Sequence, residues 1–151
     1  MADSPTPAGP SPRAVRRARL FWDQAHQDHR AARDKQRRHA PLEAAYLSVQ
    51  AALNALSAVS YLNGRFQLPN FSTARMAALC VELDGRFEAI LGACESLEAV
   101  QEHSPFEDAP DAAALDALGA ASVEHSTRVL DAVRTYLNEH RLQERGLKER
   151  P

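Results

Sequence analysis

The chain has 151 residues, one quarter of them Asp, Glu, Lys or Arg, and a formal net charge of -2. That length suits one domain with a proper core and is too short for two comfortable ones. The near-neutral total excludes a globally basic nucleic-acid binder.

The total hides a segregation of charge. Residues 13–39 carry nine Arg or Lys against three Asp, whereas residues 65–109 carry three Arg against eight Asp or Glu. Either a basic helix lies against an acidic one inside the fold, or a basic face is offered to a phosphate backbone or an acidic partner. Internal neutralisation is the ordinary outcome for such faces.

In chain order, residues 1–12, MADSPTPAGPSP, have no apolar run for secretion, and their Pro, Ser and Gly content predicts a disordered tail. A single helical domain is expected over 13–145, with a short tail at 146–151. Ser11-Pro12 is a helix start, since the serine oxygen can accept an orphan amide bond and proline's fixed φ suits the first turn. The first helix should run to about Arg38, with Ala18, Trp22, Ala25, His29 and Ala32 inward and Leu20 and Phe21 beside them. Pro41 disfavours helical geometry at Ala40 and predicts a sharp turn into a second helix.

That second helix is the most distinctive stretch of the chain, because Ala44 to Gly64 contains no charged side chain. Leu42, Tyr46, Val49, Leu53, Leu56 and Ser60 form one line along it, and Leu47, Ala51, Asn54, Ala58 and Tyr61 a second. Two apolar faces and many small alanines predict a central helix wrapped by others, with a dimer interface as a further use of the same surface. Its serines, Gln50 and asparagines argue against a membrane span. Gly64 should end it.

Asn70 or Ser72 can cap the next helix, whose stripe is Met76, Cys80, Leu83, Phe87, Ile90, Cys94 and Leu97. The unbroken phase predicts one long helix to about Glu102, with a break at Asp84-Gly85 into two shorter helices as the alternative. On a single helix Cys80 and Cys94 would be about 21 Å apart at 1.5 Å per residue, too far to bridge. Both fall on the apolar stripe, where burial raises a thiol pKa, and free cysteines fit a reducing cytoplasm. After HSPFEDAP, a last helix starts near Pro110 or Asp111 and stops by Gly146. No segment alternates as a strand does, so the fold is all-α: an up-and-down antiparallel bundle of four helices, or five if the third breaks.

Chemistry-bearing motifs are sparse. Asp23, His26 and His29 share one helical face, yet no second segment supplies further ligands, so no metal and no cofactor is expected; His29 should pack beside Trp22 with a ring nitrogen hydrogen-bonded. No phosphate-binding glycine loop or nucleophile elbow is present. Arg16, Arg17, Arg30, Arg33, Arg37 and Arg38 make the first helix the candidate surface for phosphate or an acidic partner, because a guanidinium donates two parallel bonds to an oxyanion.

Residues 20–64 resemble the HEPN superfamily of small α-helical domains, through Trp22, Ala25, Asp28 and Ala32 in the first helix and Gln50 to Leu56 followed by Gly64 in the second. The resemblance implies an α-helical domain, commonly dimeric, and in active members a ribonuclease. There an Arg followed after several residues by a His promotes attack of an RNA 2′-hydroxyl on the adjacent phosphate. Two pairs stand out at that spacing, which Arg19 and His26 also meet: Arg33 with His39, where Asp34 follows the arginine, and Arg134 with His140, in the last helix where the family carries its motif. Six residues turn a helix by about 600°, so either pair diverges by roughly 120° unless the helix ends between its members, as Pro41 allows for His39. The resulting expectation is a cytoplasmic HEPN-like domain that binds RNA or a protein partner as a homodimer. The competing expectation is a helical adaptor whose basic and acidic segments neutralise each other.

Overall fold

The computed structural model describes residues 9–65, 72–102 and 111–140, and every regular element among them is helical. Helix α1 spans Pro12–Arg37 and starts as its sequence dictates, with Ser11 Oγ accepting from the Ala14 amide at 3.1 Å. Ala18, Trp22, Ala25 and Ala32 are buried along it. Leu20, expected beside that stripe, is instead 69 % exposed, while Phe21 stacks on Tyr61 of the next helix at 4.8 Å. The chain leaves α1 through His39, whose φ of 59° lets the His39 amide donate to Gln36 and the Ala40 amide to Lys35. This closes the helix end in the manner of a glycine cap, with Pro41 opening the next helix.

Helix α2, Pro41–Leu62, is the centre of the molecule and packs against every other helix. Its missing charges are explained by burial nearly all round, which small side chains permit: Ala44, Ala45, Ala51, Ala52, Ala55 and Ala58 are fully buried. Tyr46, placed on its first apolar line, is 40 % exposed. The buried serines turn their hydroxyls inward along the backbone, Ser48 to the Ala44 carbonyl at 2.8 Å and Ser57 to the Leu53 carbonyl. A hydroxyl satisfied that way costs little in an apolar setting. Gly64, at φ 72°, ends the helix as expected, with the amides of Gly64 and Arg65 donating to Tyr61 and Ser60.

The third expected helix is not one rod. Helix α3, Thr73–Leu83, starts at its Ser72 cap and stops at Asp84; a 3₁₀ turn covers Gly85–Ile90, and α4 follows over Leu91–Glu102. The alternative cap Asn70 lies outside the described residues. Asp84 has extended backbone and its carboxylate accepts from the Arg86 amide at 3.0 Å, so it ends one segment and opens the next. Thr73 Oγ1 then reaches the Cys94 carbonyl at 2.8 Å, although a continuous helix would separate the two by about 30 Å. α4 is therefore folded back on α3. The expected 21 Å spacing of Cys80 and Cys94 goes with the rod: both free thiols are buried in one core with Met76, Phe87 and Leu97.

Helix α5, Ala112–Glu139, begins where Asp111 accepts from the Ala114 amide at 2.8 Å. The expected stop at Gly146 lies outside the described residues. α5 runs along α2 in the same direction, Gly119 against Pro41 and Tyr136 against Asn63, and opposite to α1, Asp116 meeting Gln36 and Ser126 meeting His29. α1 touches α2 and α5 but neither α3 nor α4.

Candidate nucleic-acid interface

Arg16, Arg17, Arg30, Arg33, Arg37 and Arg38 all lie at least partly exposed on α1 or at its end. Three of them are engaged locally: Arg37 and Arg38 flank Asp34 at 3.7 and 3.1 Å, and the Arg17 guanidinium lies 5.7 Å from the Tyr61 ring. Arg16, Arg30 and Arg33 have no ion pair among the described residues. Among the described residues α1 makes no contact with α3 or α4, so those two helices do not cover it. Two of the acids there pair with arginines of their own part of the chain, Glu82 with Arg65 at 3.5 Å and Asp84 with Arg86 at 3.1 Å, and Arg86 also bonds Glu139 of α5. Neutralisation across the fold, the ordinary expectation from sequence, is thus not how these helices pack.

The two Arg–His pairs have separate surroundings. His39 sits in the left-handed turn and lines a shallow, mostly apolar groove with Pro41, Ala112, Ala113, Leu115 and Asp116. Arg33 lies one turn beyond His29 on α1, near enough to disfavour its protonation. In α5, His140 stacks on Tyr136 at 4.0 Å and its Nδ1 is 3.0 Å from the Tyr136 carbonyl. Arg134 instead bonds Asp131 at 3.0 Å and lies 5.9 Å from the Trp22 ring of α1. Neither pair is brought together within the chain.

What the fold does assemble is a seam between α1 and α5. Trp22, buried, packs His26 edge-on at 4.4 Å, and the Arg134 guanidinium lies 5.9 Å from the same ring. It is His26, not His29, that packs on the tryptophan. His29 reaches across to α5, with Nδ1 3.2 Å from Ser126 Oγ and Nε2 3.4 Å from Thr127 Oγ1, so its ring nitrogens are indeed partnered. Burial lowers the pKa of both histidines; Arg134 and Arg30 add to this at His26, and Arg33, His26 and Arg134 at His29, against weaker support from Asp23 and Asp131. A shallow pocket lined by Asp23, His26, Gln27 and Arg30 opens beside the seam. Among the described residues no three His, Cys, Asp or Glu side chains are grouped to hold a metal ion. Both thiols are pushed up to about 12, chiefly by burial, and are not poised as nucleophiles.

Nothing in the sequence links a residue of α5 near Arg134 to His26 or His29, since only the docking of two distant helices brings them together. The one signal is that the Asp23, His26 and His29 face also carries Arg30 and Arg33 at helical spacing.

No protein-family model and no curated protein matches the chain. Among solved structures it is similar to the crystal structure of a HEPN domain protein from Thermotoga maritima, with a TM-score of 0.64 and 20 % identity over 79 % of this chain and 98 % of that one. At that identity the likeness is one of fold, and it agrees with the resemblance carried by Trp22, Ala25 and the second helix: the chain has a HEPN-like all-α fold.

Proposed function

We propose that this HEPN-like domain binds RNA through the exposed face of α1, as a homodimer, and that it binds without cleaving. The observation that carries binding is that Arg16, Arg30 and Arg33 reach solvent, lack an ion pair among the described residues, and stand on a helix that the acidic α3 and α4 do not touch. Cleavage is set aside because Arg33 and His39, and Arg134 and His140, are directed to different neighbours. Those neighbours lie within one chain, and the cleavage assay below tests whether the dimer changes them.

Phosphate binding releases counterions, so log Kd should rise linearly with log salt, and Arg30→Ala with Arg33→Ala should lower that slope by about one for each phosphate no longer held. A short fluorescent oligouridylate titrated at several salt concentrations reads this directly. No binding at low salt would refute the proposal and favour an adaptor that recognises a protein. Light scattering at tens of micromolar tests the dimer, and a strict monomer there would remove that part. RNA degraded by the wild type but not by His140→Ala or His39→Ala would show that the domain is a nuclease after all.

A further inference from the structure

His29 presents a hydrogen-bond imbalance. Ser126 Oγ and Thr127 Oγ1 each donate to the Val123 carbonyl, both at 2.9 Å. With their protons so placed, the two hydroxyl oxygens present lone pairs to the imidazole, Ser126 at Nδ1 and Thr127 at Nε2. A neutral ring donates to one of them and accepts from the other only if that hydroxyl leaves the Val123 carbonyl, whereas the imidazolium donates to both with these bonds kept. The charge around the ring opposes that form. Arg33 and His26 on α1 and Arg134 on α5 face His29, with Asp131 as the one acid nearby. In front of it, His26 meets Arg30 and Arg134 with Asp23 as counterweight, and the adjoining pocket is open to solvent. The geometry therefore has room for a second proton on His29 that the local field opposes, and an oxyanion in the seam would reverse that field.

We propose that the seam between α1 and α5 is a proton-linked oxyanion site: His26, Arg30 and Arg134 take a phosphodiester oxygen, and His29, held behind them on Ser126 and Thr127, gains a proton as the oxyanion arrives. This rests on the RNA-binding reading of α1 and adds to it a defined subsite and a regulator, pH. His29 is a positioning residue that does not touch the ligand. Its imidazolium ties α1 to α5 at two points, fixing Arg134 relative to Arg30. The proton comes from solvent, and no bond other than hydrogen bonds forms or breaks.

The test is calorimetric titration of the full chain with oligouridylate, whose bases do not titrate between about pH 6 and pH 8, in two buffers of different ionisation enthalpy. The expected result is net proton uptake on binding, and affinity about tenfold higher at the acid end for each histidine whose pKa the phosphate raises by one unit. His29→Gln should abolish most of the uptake while retaining binding near pH 8. Ser126→Ala, which removes one acceptor from a well-packed site, should reduce it, and His125→Gln, on another face of α5, should leave it unchanged. Binding without proton uptake, or uptake undiminished in both His29→Gln and Ser126→Ala, would overturn this inference while leaving RNA binding intact. No binding at low salt at either pH would overturn both.

Discussion

Gly119 shows how much one hydrogen atom can decide. It is buried within the 28-residue helix α5, where glycine costs about 1 kcal/mol relative to alanine. A Cβ there would collide with Gln36 Oε1 and lie 2.9 Å from the Pro41 Cα, and backbone cannot step aside. Gly119→Ala is therefore expected to lose about 1–3 kcal/mol in urea unfolding, because overpacking outweighs the gain in helix propensity. Gly92→Ala, where a Cβ meets open space, should be neutral or gain up to about 1 kcal/mol. The seam histidines supply a further dependence, on pH. Their pKa values are lowered in the folded chain from 6.5, so below that value the unfolded chain binds more protons. The contribution to stability is intact above about pH 6.5 and is lost as pH falls from there toward the folded values. The melting temperature of the RNA-free protein should drop over that window, and less so in His26→Gln and His29→Gln variants. Neither Gly119 nor the seam was legible in the sequence, since each depends on which residue of α5 lands opposite α1 and α2.

Among the elements, the charge-free second helix was fully legible: a segment with nothing to offer water must be surrounded, and α2 is. The third was legible only as two alternatives, one long helix or a break at Asp84-Gly85, and the chain takes the break. Met76, Cys80, Phe87, Ile90, Cys94 and Leu97 keep one heptad phase, yet Asp84 breaks the backbone in their midst. Phase records which side chains face the core, and two short helices that cover the same core can keep it as well as one long helix. The local signal, an Asp-Gly step, outranks the periodic one. Replacing Asp84 with Ala should cost about 1–2 kcal/mol through loss of the cap on the Arg86 amide. Its ion pair with Arg86 is solvent-screened and should add little, so Asp84→Asn, which keeps the acceptor, is expected to lie close to wild type in the same denaturation experiment.

Taken whole, the molecule separates its charges by interposing α2 between the basic α1 and the acidic α3–α4 pair. The six arginines of the candidate surface could be named from sequence because a helix with so few apolar residues must turn most of its circumference outward. Their lack of cover could not be, since segregation in sequence is equally compatible with pairing in space. The folding back of α4 on α3 gives the protein a built-in reporter of its own breathing. Cys80 and Cys94 come from opposite arms of that hairpin, are completely enclosed, and are held protonated by a pKa of about 12. In an opened hairpin each would revert toward 9, so at mildly alkaline pH a thiol reagent counts openings and ignores the closed state. If α3 and α4 detach as one unit, the two cysteines will be modified at a common rate that climbs with urea. Two distinct rates in single-cysteine variants would mean that the arms part company before the remainder of the core lets go.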